Sequence, residues 1–180
     1  LVEVKHFTYT CPGEEEPTLQ DINLSVDSGA FAVITGRSGS GKSTLGKAIA
    51  GFLFQDEVPN YSGKILVNGT EMSQLPLFDA SDRVTYVQQN PEDQFCTLTV
   101  RDEIAFGLEN LCMDPQEIET QIDRVLKIVK GLDLQDRELA TLSGGEKQKI
   151  AIASMLALSP DVIILDEPTS NLDPAATKHI

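Results

Sequence analysis

The beginning of the chain shows the alternation of apolar and polar residues that is typical of β-strands. Residues Leu1 to Tyr9 alternate, a turn-rich CPGEEEP segment follows, and Leu19 to Val26 alternates again. A period of two places the apolar side chains on one face of a strand, and glycine and proline mark the turn between strands. The pattern therefore predicts a short antiparallel unit at the start of the chain.

A different pattern begins at residue 30, where a short apolar run precedes a glycine-rich loop and a helix. Ala30 to Thr35 is predicted to be a strand between two glycines, and apolar residues from Leu45 to Phe52 recur at helical spacing. Further strands are predicted at residues 64–68, 83–88 and 162–165. The last of these has no alternation, which predicts a fully buried strand.

Two further helices are predicted in the second half of the chain. Apolar residues recur at helical spacing between Asp114 and Leu132, with acids near the start and lysines near the end. Ser143 and Glu146 form a capping-box pattern at the start of a helix over residues 147–158. The elements together predict one α/β domain over residues 1–180. It has a mostly parallel sheet, an antiparallel β subdomain at the amino-terminal end and a helical subdomain inserted at residues 91–142.

Composition narrows the classes of partner. The chain of 180 residues is 41% hydrophobic and 23% charged, with a formal net charge of −14. Such acidity repels a phosphate backbone and no basic cluster offsets it, so nucleic acid is not expected as a partner. Three widely spaced cysteines without a CxxC pair argue against a zinc site or a disulfide framework. The longest apolar stretch, Ile150 to Leu158, is too short to cross a bilayer, so membrane contact is expected only through partner proteins.

The strongest chemical signal is GRSGSGKST, which follows a predicted strand and precedes a predicted helix. It matches the P-loop pattern G-x-x-x-x-G-K-[ST], in which glycines turn backbone N–H groups towards phosphate oxygens at a helix N-terminus. The lysine adds a positive charge near the β- and γ-phosphates, and Ser43 is expected to ligate Mg²⁺. The sequence thus predicts a P-loop NTPase core that binds ATP and Mg²⁺. The predicted phosphate-binding residues are Gly36, Arg37, Ser38, Gly39, Ser40, Gly41, Lys42, Ser43 and Thr44.

A second candidate lies at the carboxyl end of the last predicted strand, where Asp166 and Glu167 are adjacent. Acids at the end of a strand beside a P-loop face the phosphates. Asp166 is therefore predicted to hold Mg²⁺, and Glu167 to be the catalytic residue that acts on the attacking water. Whether Glu167 is a general base or orients the water stays open.

The run LSGGEKQKIAIA, followed by DEPTSNLDP, resembles the signature of the ABC (ATP-binding cassette) ATPases. The resemblance implies that Ser143, Gly144, Gly145 and Glu146 close on ATP held by the P-loop of an opposing subunit, in a head-to-tail homodimer or heterodimer. It further implies that Tyr9 stacks on adenine and that Gln89 reaches Mg²⁺ and senses a membrane partner. Residues 170–173 are similar to the loop that crosses between subunits.

Some positions leave alternatives open. Phe7 competes with Tyr9 for the adenine, and Gln88 competes with Gln89 for the Mg²⁺. Glu146 stands where the family often has glutamine, and Lys149 where it often has arginine. Ser143 and the two glycines after it also have a purely structural reading as a well-capped helix start.

The stretches VQQNPEDQF and TVRDEIAFGLENL are similar to the ATPases of energy-coupling-factor importers for vitamins and for metal ions such as cobalt or nickel. The expected function is therefore ATP hydrolysis at the cytoplasmic face of the membrane, coupled to transmembrane subunits. A soluble ABC ATPase acting on ribosomes or DNA, and a nucleotide-binding module with little hydrolysis, remain alternatives. The family's switch histidine is expected beyond residue 180, because His179 comes too early after Glu167, and a truncated chain is expected on that basis.

Overall fold

The computed structural model describes residues 1–55 and 60–170. Two compact units divide the chain, one within Leu1–Val84 and the other from Thr85 onwards. Strand β1 (Val2–Tyr9), β2 (Leu19–Val26), helix α1 (Lys42–Ile49), β3 (Tyr61–Val67), β4 (Thr70–Glu71) and α2 (Leu77–Ser81) belong to the first unit. The second contains most of β5 (Val84–Val87), then α3 (Val100–Asn110), α4 (Pro115–Ile128), α5 (Gly144–Ala157) and β6 (Val162–Leu165). Short 3₁₀ turns lie at Phe52–Phe54, Met72–Gln74, Pro91–Gln94, Leu132–Leu134 and Leu139–Thr141.

The first unit is built on a four-stranded sheet with the strand order β2-β1-β3-β4. Strand β1 pairs antiparallel with both β2 and β3, which confirms the antiparallel pair predicted at the start of the chain. A bulge at His6, where φ is +51°, shifts the register of β1. Because an extra residue reverses the alternation, Val2 and Val4 before the bulge and Phe7 and Tyr9 after it are all buried.

Helix α1 is shorter than its apolar pattern predicts. The pattern extended the helix to Phe52, whereas the helix ends at Ile49 and Phe52 begins a 3₁₀ turn. Gly51 lies between them with φ +85°, a left-handed conformation that ends an α-helix. The apolar pattern does not show where α1 ends, because the 3₁₀ turn that follows places Phe52 at the same helical spacing.

The strand predicted at residues 30–35 does not form. Residues 31–37 are neither helix nor strand, and Phe31, Val33 and Ile34 are exposed. An apolar run becomes a strand only where a neighbouring strand bonds its backbone N–H and C=O groups. None of the strands in residues 1–55 and 60–170 pairs with this segment.

The second unit has a helical core. Helices α3, α4 and α5 pack around apolar side chains that are almost fully buried, among them Val100, Ile104, Leu108, Ile122, Val125, Leu126, Ile150 and Ala153. Helix α4 covers most of the segment predicted from residues 114–132, and its start is capped by Asp114, whose side chain accepts from the N–H of Gln116. None of the helices described here is long and apolar enough to cross a bilayer.

Strands β5 and β6 form a separate two-stranded parallel sheet in this unit. The predicted bounds of β6 are confirmed, but its predicted burial is wrong. Val162 to Ile164 are only partly buried and Leu165 is exposed. Within the described chain β5 is the strand that pairs with β6, so the other edge of β6 has no strand to cover it.

A buried carboxylate fixes the loop that precedes α3. Glu103 is 6% exposed, and its Oε2 accepts from the backbone N–H groups of Cys96 and Thr97 and from the Thr97 hydroxyl, at 3.0, 3.0 and 2.9 Å. We expect Glu103→Ala to lower the free energy of unfolding by about 2 kcal/mol, because the donors lose a charged acceptor. Urea unfolding measures this, with Glu109→Ala, an exposed position on the same helix, as the control. Equal stability of the two variants would contradict the tethering role.

Candidate nucleotide site

The predicted phosphate loop leads directly into α1. Residues 36–40 are exposed, and a turn closes where the Ser40 N–H donates to the Arg37 carbonyl at 3.2 Å. Gly41 precedes the helix with φ +86°, and a Cβ there would lie 3.0 Å from the Thr18 carbonyl and 2.8 Å from Leu19 Cδ2. Glycine is therefore required at this position on both conformational and steric grounds.

The N-terminus of α1 has no side-chain cap and no acid in its first turn. The first N–H groups of a helix have no partner within the helix, and they carry its positive dipole end. Lys42 folds back over the loop, where its Nζ donates to the Gly36 and Arg37 carbonyls at 3.2 and 3.0 Å. The loop thus combines exposed glycines, helix N–H groups and an ammonium group, which together suit a phosphate. Ser43 and Thr44 follow in the first turn of α1.

Asp166 and Glu167 follow β6, as the sequence predicts. The Asp166 N–H donates to the Val87 carbonyl at 3.0 Å, and the Tyr86 hydroxyl donates to Asp166 Oδ2 at 2.5 Å. Tyr86 is 8% exposed, so its ring is fixed by the core while its hydroxyl orients the carboxylate. Sequence reasoning missed Tyr86, because a tyrosine within a strand carries no signal of which carboxylate it faces.

The structure brings Gln89, Glu167 and Ser170 together. Gln89 Nε2 donates to Glu167 Oε2 at 3.1 Å and to Ser170 Oγ at 3.4 Å. The side chain of Gln89 makes these contacts, whereas Gln88 bonds through its backbone N–H to Gln94. Glu167 has φ +44°, a left-handed conformation that is strained for a residue with a Cβ. The other predicted crossing-loop residues, 171–173, and His179 lie outside the described residues.

Ser43, Gln89 and Asp166, the residues predicted to hold Mg²⁺, offer hydroxyl, amide and carboxylate oxygens. Mg²⁺ prefers oxygen ligands and is usually bound by one or two carboxylates together with substrate phosphates. The donor set therefore fits Mg²⁺ better than zinc. Across the described residues no group of three or more His, Cys, Asp and Glu side chains could hold a metal by itself.

The predicted capping box at α5 is present. The Ser143 N–H and hydroxyl donate to Glu146 Oε2 at 2.7 and 2.8 Å, and the Glu146 N–H donates to Ser143 Oγ at 3.4 Å. Helix α5 begins at Gly144, followed by Gly145. Sequence reasoning missed Arg137, whose Nη1 donates to Glu146 Oε1 at 3.3 Å.

These contacts hold the pKa of Glu146 below its ordinary value. The Ser143 N–H and then the Ser143 hydroxyl are the main causes, and the positive charge of Arg137 adds to them. Because the pKa is lower in the folded state, this carboxylate stabilises the fold above its unfolded pKa. That contribution is lost as the pH falls through the folded pKa.

We expect Ser143→Ala to raise the pKa of Glu146 more than Arg137→Ala does, because the Ser143 hydroxyl donates to the carboxylate at 2.8 Å, whereas Arg137 Nη1 donates at 3.3 Å. Carbon NMR of the Glu146 carboxyl group over a pH titration measures both shifts. Titration of Glu146 at the same pH in both variants and the parent protein would contradict the assigned causes.

Tyr9, predicted to stack on adenine, is 4% exposed, and its rival Phe7 is fully buried. The ring of Phe7 packs against Phe54 and Tyr61, with both pairs of centroids 6.1 Å apart. A base could stack on Tyr9 only after its ring is uncovered. The adenine role of Tyr9 stays a prediction.

Comparison with known proteins identifies the family. Residues 19–170 match the ABC transporter family. The chain is 44% identical over 179 residues to the energy-coupling factor transporter ATP-binding protein EcfA1 of Lactobacillus acidophilus. This match covers 99% of the chain and 62% of that protein. The chain is also 42% identical to a protein of Methanosarcina acetivorans, and this match covers 28% of that protein's length. The chain therefore spans less than two thirds of these relatives.

Solved structures agree with the sequence matches. The structure of cbiO1 from Clostridium perfringens, part of the ABC transporter complex cbiONQ, matches with a TM-score of 0.85 and 31% identity. It covers 98% of this chain and 69% of that one. A dimeric post-hydrolysis structure of the ATP-binding cassette MJ0796, bound to ADP and Pi, matches with a TM-score of 0.83 and 27% identity. This match covers 100% of this chain and 79% of the MJ0796 chain. The predicted α/β P-loop NTPase fold is confirmed. The chain belongs to the ABC transporter family and carries the ATP-binding ATPase domain of that family.

Proposed function

We propose that the protein is the ATP-binding and hydrolysing subunit of an importer, which powers uptake of a small solute such as a vitamin or a cobalt or nickel ion. The observation that carries the proposal is the set of ATPase elements in one chain. A glycine-rich loop leads into α1, whose N-terminus has no side-chain cap. The signature helix α5 is capped by Ser143, and two adjacent acids follow β6. The likeness to EcfA1 and to cbiO1 supports the importer class.

Each part of the proposed site has a distinct task in ATP hydrolysis. The N–H groups of residues 36–44 and the Lys42 ammonium bind and orient the phosphates. Ser43, Gln89 and Asp166 are the residues that hold Mg²⁺, which neutralises phosphate charge when bound. Glu167 orients or deprotonates the attacking water, and Gln89, which bonds Glu167, couples that carboxylate to the loop after β5.

The partner of the proposed site is a second ATPase subunit, arranged head-to-tail. Ser143, Gly144, Gly145 and Glu146 at the start of α5 close on ATP bound by the opposing phosphate loop, and Tyr9 contacts adenine. The matched cassette MJ0796 is dimeric when bound to ADP and Pi, which supports a dimer here. Residues 91–142 form the inserted helical subdomain. The protein binds transmembrane subunits at the cytoplasmic face of the membrane.

Copurification and ATPase assays test the transporter assignment. We expect the full-length protein to copurify with transmembrane subunits encoded beside it and to hydrolyse ATP faster in that complex than alone. Full activity without any membrane protein, and no association with one, would favour a non-transport ABC ATPase. ATP binding without hydrolysis in the complex would favour a nucleotide-binding module.

A further inference from the structure

Arg137 connects the loop before α5 to the first turn of that helix. Its Nη1 donates to Glu146 Oε1 at 3.3 Å, and its Nη2 donates to the carbonyl and hydroxyl of Thr141 at 2.7 and 3.2 Å. Its own backbone is tied down, since its N–H donates to the Leu134 carbonyl and its C=O accepts from the Val100 N–H. The guanidinium is therefore held in a defined position.

Glu146 creates an electrostatic problem for the proposed function. A carboxylate in the first turn of α5 stabilises the isolated helix, because it faces the positive dipole end. The same negative charge opposes a phosphate that approaches the N–H groups of Gly144 and Gly145. A glutamine at this position would cap the helix without that charge. Arg137 supplies the opposite charge to Glu146 within the same unit.

The single hydroxyl proton of Ser143 makes this counter-charge more important when phosphate binds. In the structure that proton is donated to Glu146 Oε2 at 2.8 Å. A hydroxyl donates one hydrogen bond at a time, so donation to a phosphate removes it from Glu146. The carboxylate then keeps the Ser143 N–H and Arg137 as its donors. The Arg137 contact thus counts for more in the bound state than in the free state, which is the condition for an effect on binding.

We propose that Arg137 is a positioning residue for nucleotide, which neutralises and orients Glu146 so that the start of α5 can accept the phosphates of ATP on the opposing subunit. The inference rests on the proposed function of the signature helix. It assigns to Arg137 an effect on nucleotide-driven closure of the dimer, in addition to its contacts with Thr141.

The test is a double-mutant cycle between Arg137 and Glu146 in the full-length protein with its partner subunit. Light scattering follows dimer closure against the concentration of a non-hydrolysable ATP analogue with Mg²⁺. We expect Arg137→Ala to raise the half-saturating concentration by about five- to tenfold, because the carboxylate then loses its ion-pair partner, keeps only the more distant charge of Lys149 and faces a multiply charged phosphate. In a Glu146→Gln background, Arg137→Ala should raise the half-saturating concentration by less than about twofold, because the negative charge at position 146 is already removed.

Two further variants separate charge from structure. Arg137→Lys keeps the charge and loses the forked contact with Thr141, so we expect it to stay within about twofold of the parent protein. Arg101→Ala breaks the ion pair with Glu119, which has similar exposure in the same unit, and serves as the matched control with no expected change. An equal penalty for Arg137→Ala in both Glu146 backgrounds, or no penalty, would overturn the inference and leave Arg137 a purely structural residue.

Ser143→Ala distinguishes this inference from the proposed function. Impaired closure in Ser143→Ala with normal closure in Arg137→Ala would overturn only the role of Arg137. Normal closure in both variants would contradict the proposed use of the signature helix itself. Impaired closure in both, with rescue of Arg137→Ala by Glu146→Gln, is the result that we expect.

Discussion

Replacing Glu167 with Gln is expected to slow steady-state ATP hydrolysis by about a hundredfold or more, while ATP still binds. The water loses the carboxylate that orients it or takes its proton. The amide oxygen can still accept from Gln89 Nε2, which lies 3.1 Å from the carboxylate in the parent structure, so the local contact is kept. Because ATP binds and is not consumed, the closed dimer should accumulate. Phosphate release measures the rate, and light scattering measures the dimer.

The control for this prediction is Glu117→Gln, which changes an exposed carboxylate on α4. This variant should hydrolyse ATP at the parent rate. It also removes one carboxylate charge, but position 117 is more than 20 residues in sequence from every predicted site residue. Unchanged turnover in Glu167→Gln would remove Glu167 from the catalytic role.

Replacing Lys42 with Ala is expected to weaken Mg-ATP binding by about ten- to a hundredfold, the range of a lost hydrogen bond to a charged group. In the structure the Lys42 ammonium group lies over the phosphate loop, where it donates to the Gly36 and Arg37 carbonyls at 3.2 and 3.0 Å. A phosphate would take over those donors from the carbonyls. Isothermal titration calorimetry measures the affinity.

Lys47→Ala is the matched control, because Lys47 is an exposed lysine in the last turn of the same helix. It should bind Mg-ATP as the parent protein does. Equal affinity in the Lys42 and Lys47 variants would mean that the loop before α1 does not bind the phosphates.

Local periodicity predicted the elements whose partners are adjacent in the chain. The alternation in β1 and β2 and the capping box at α5 depend on neighbouring residues, and both are present. The segment at residues 30–35 could not be predicted in the same way, because a strand also requires a distant partner for its backbone groups. The exposure of Leu165 has the same origin, since burial depends on what covers the strand.

The candidate site divides along the same line. Motif spacing predicted the glycine loop, the acids after β6 and Gln89, because each is defined by a short run of residues. Tyr86 and Arg137 were missed, because their partners Asp166 and Glu146 are reached through folding and not through spacing. A tyrosine in a strand and an arginine in a loop have many possible partners, and side-chain geometry decides among them.

The central claim is that backbone N–H groups of residues 36–44 bind the phosphates of Mg-ATP. A crystal structure of the full-length protein with Mg²⁺ and a non-hydrolysable ATP analogue tests it most directly. We predict phosphate oxygens about 3 Å from the N–H groups that lead into α1, with the Lys42 ammonium turned from its carbonyls to the phosphates. An analogue bound elsewhere, with Lys42 still on the Gly36 and Arg37 carbonyls, would contradict the account.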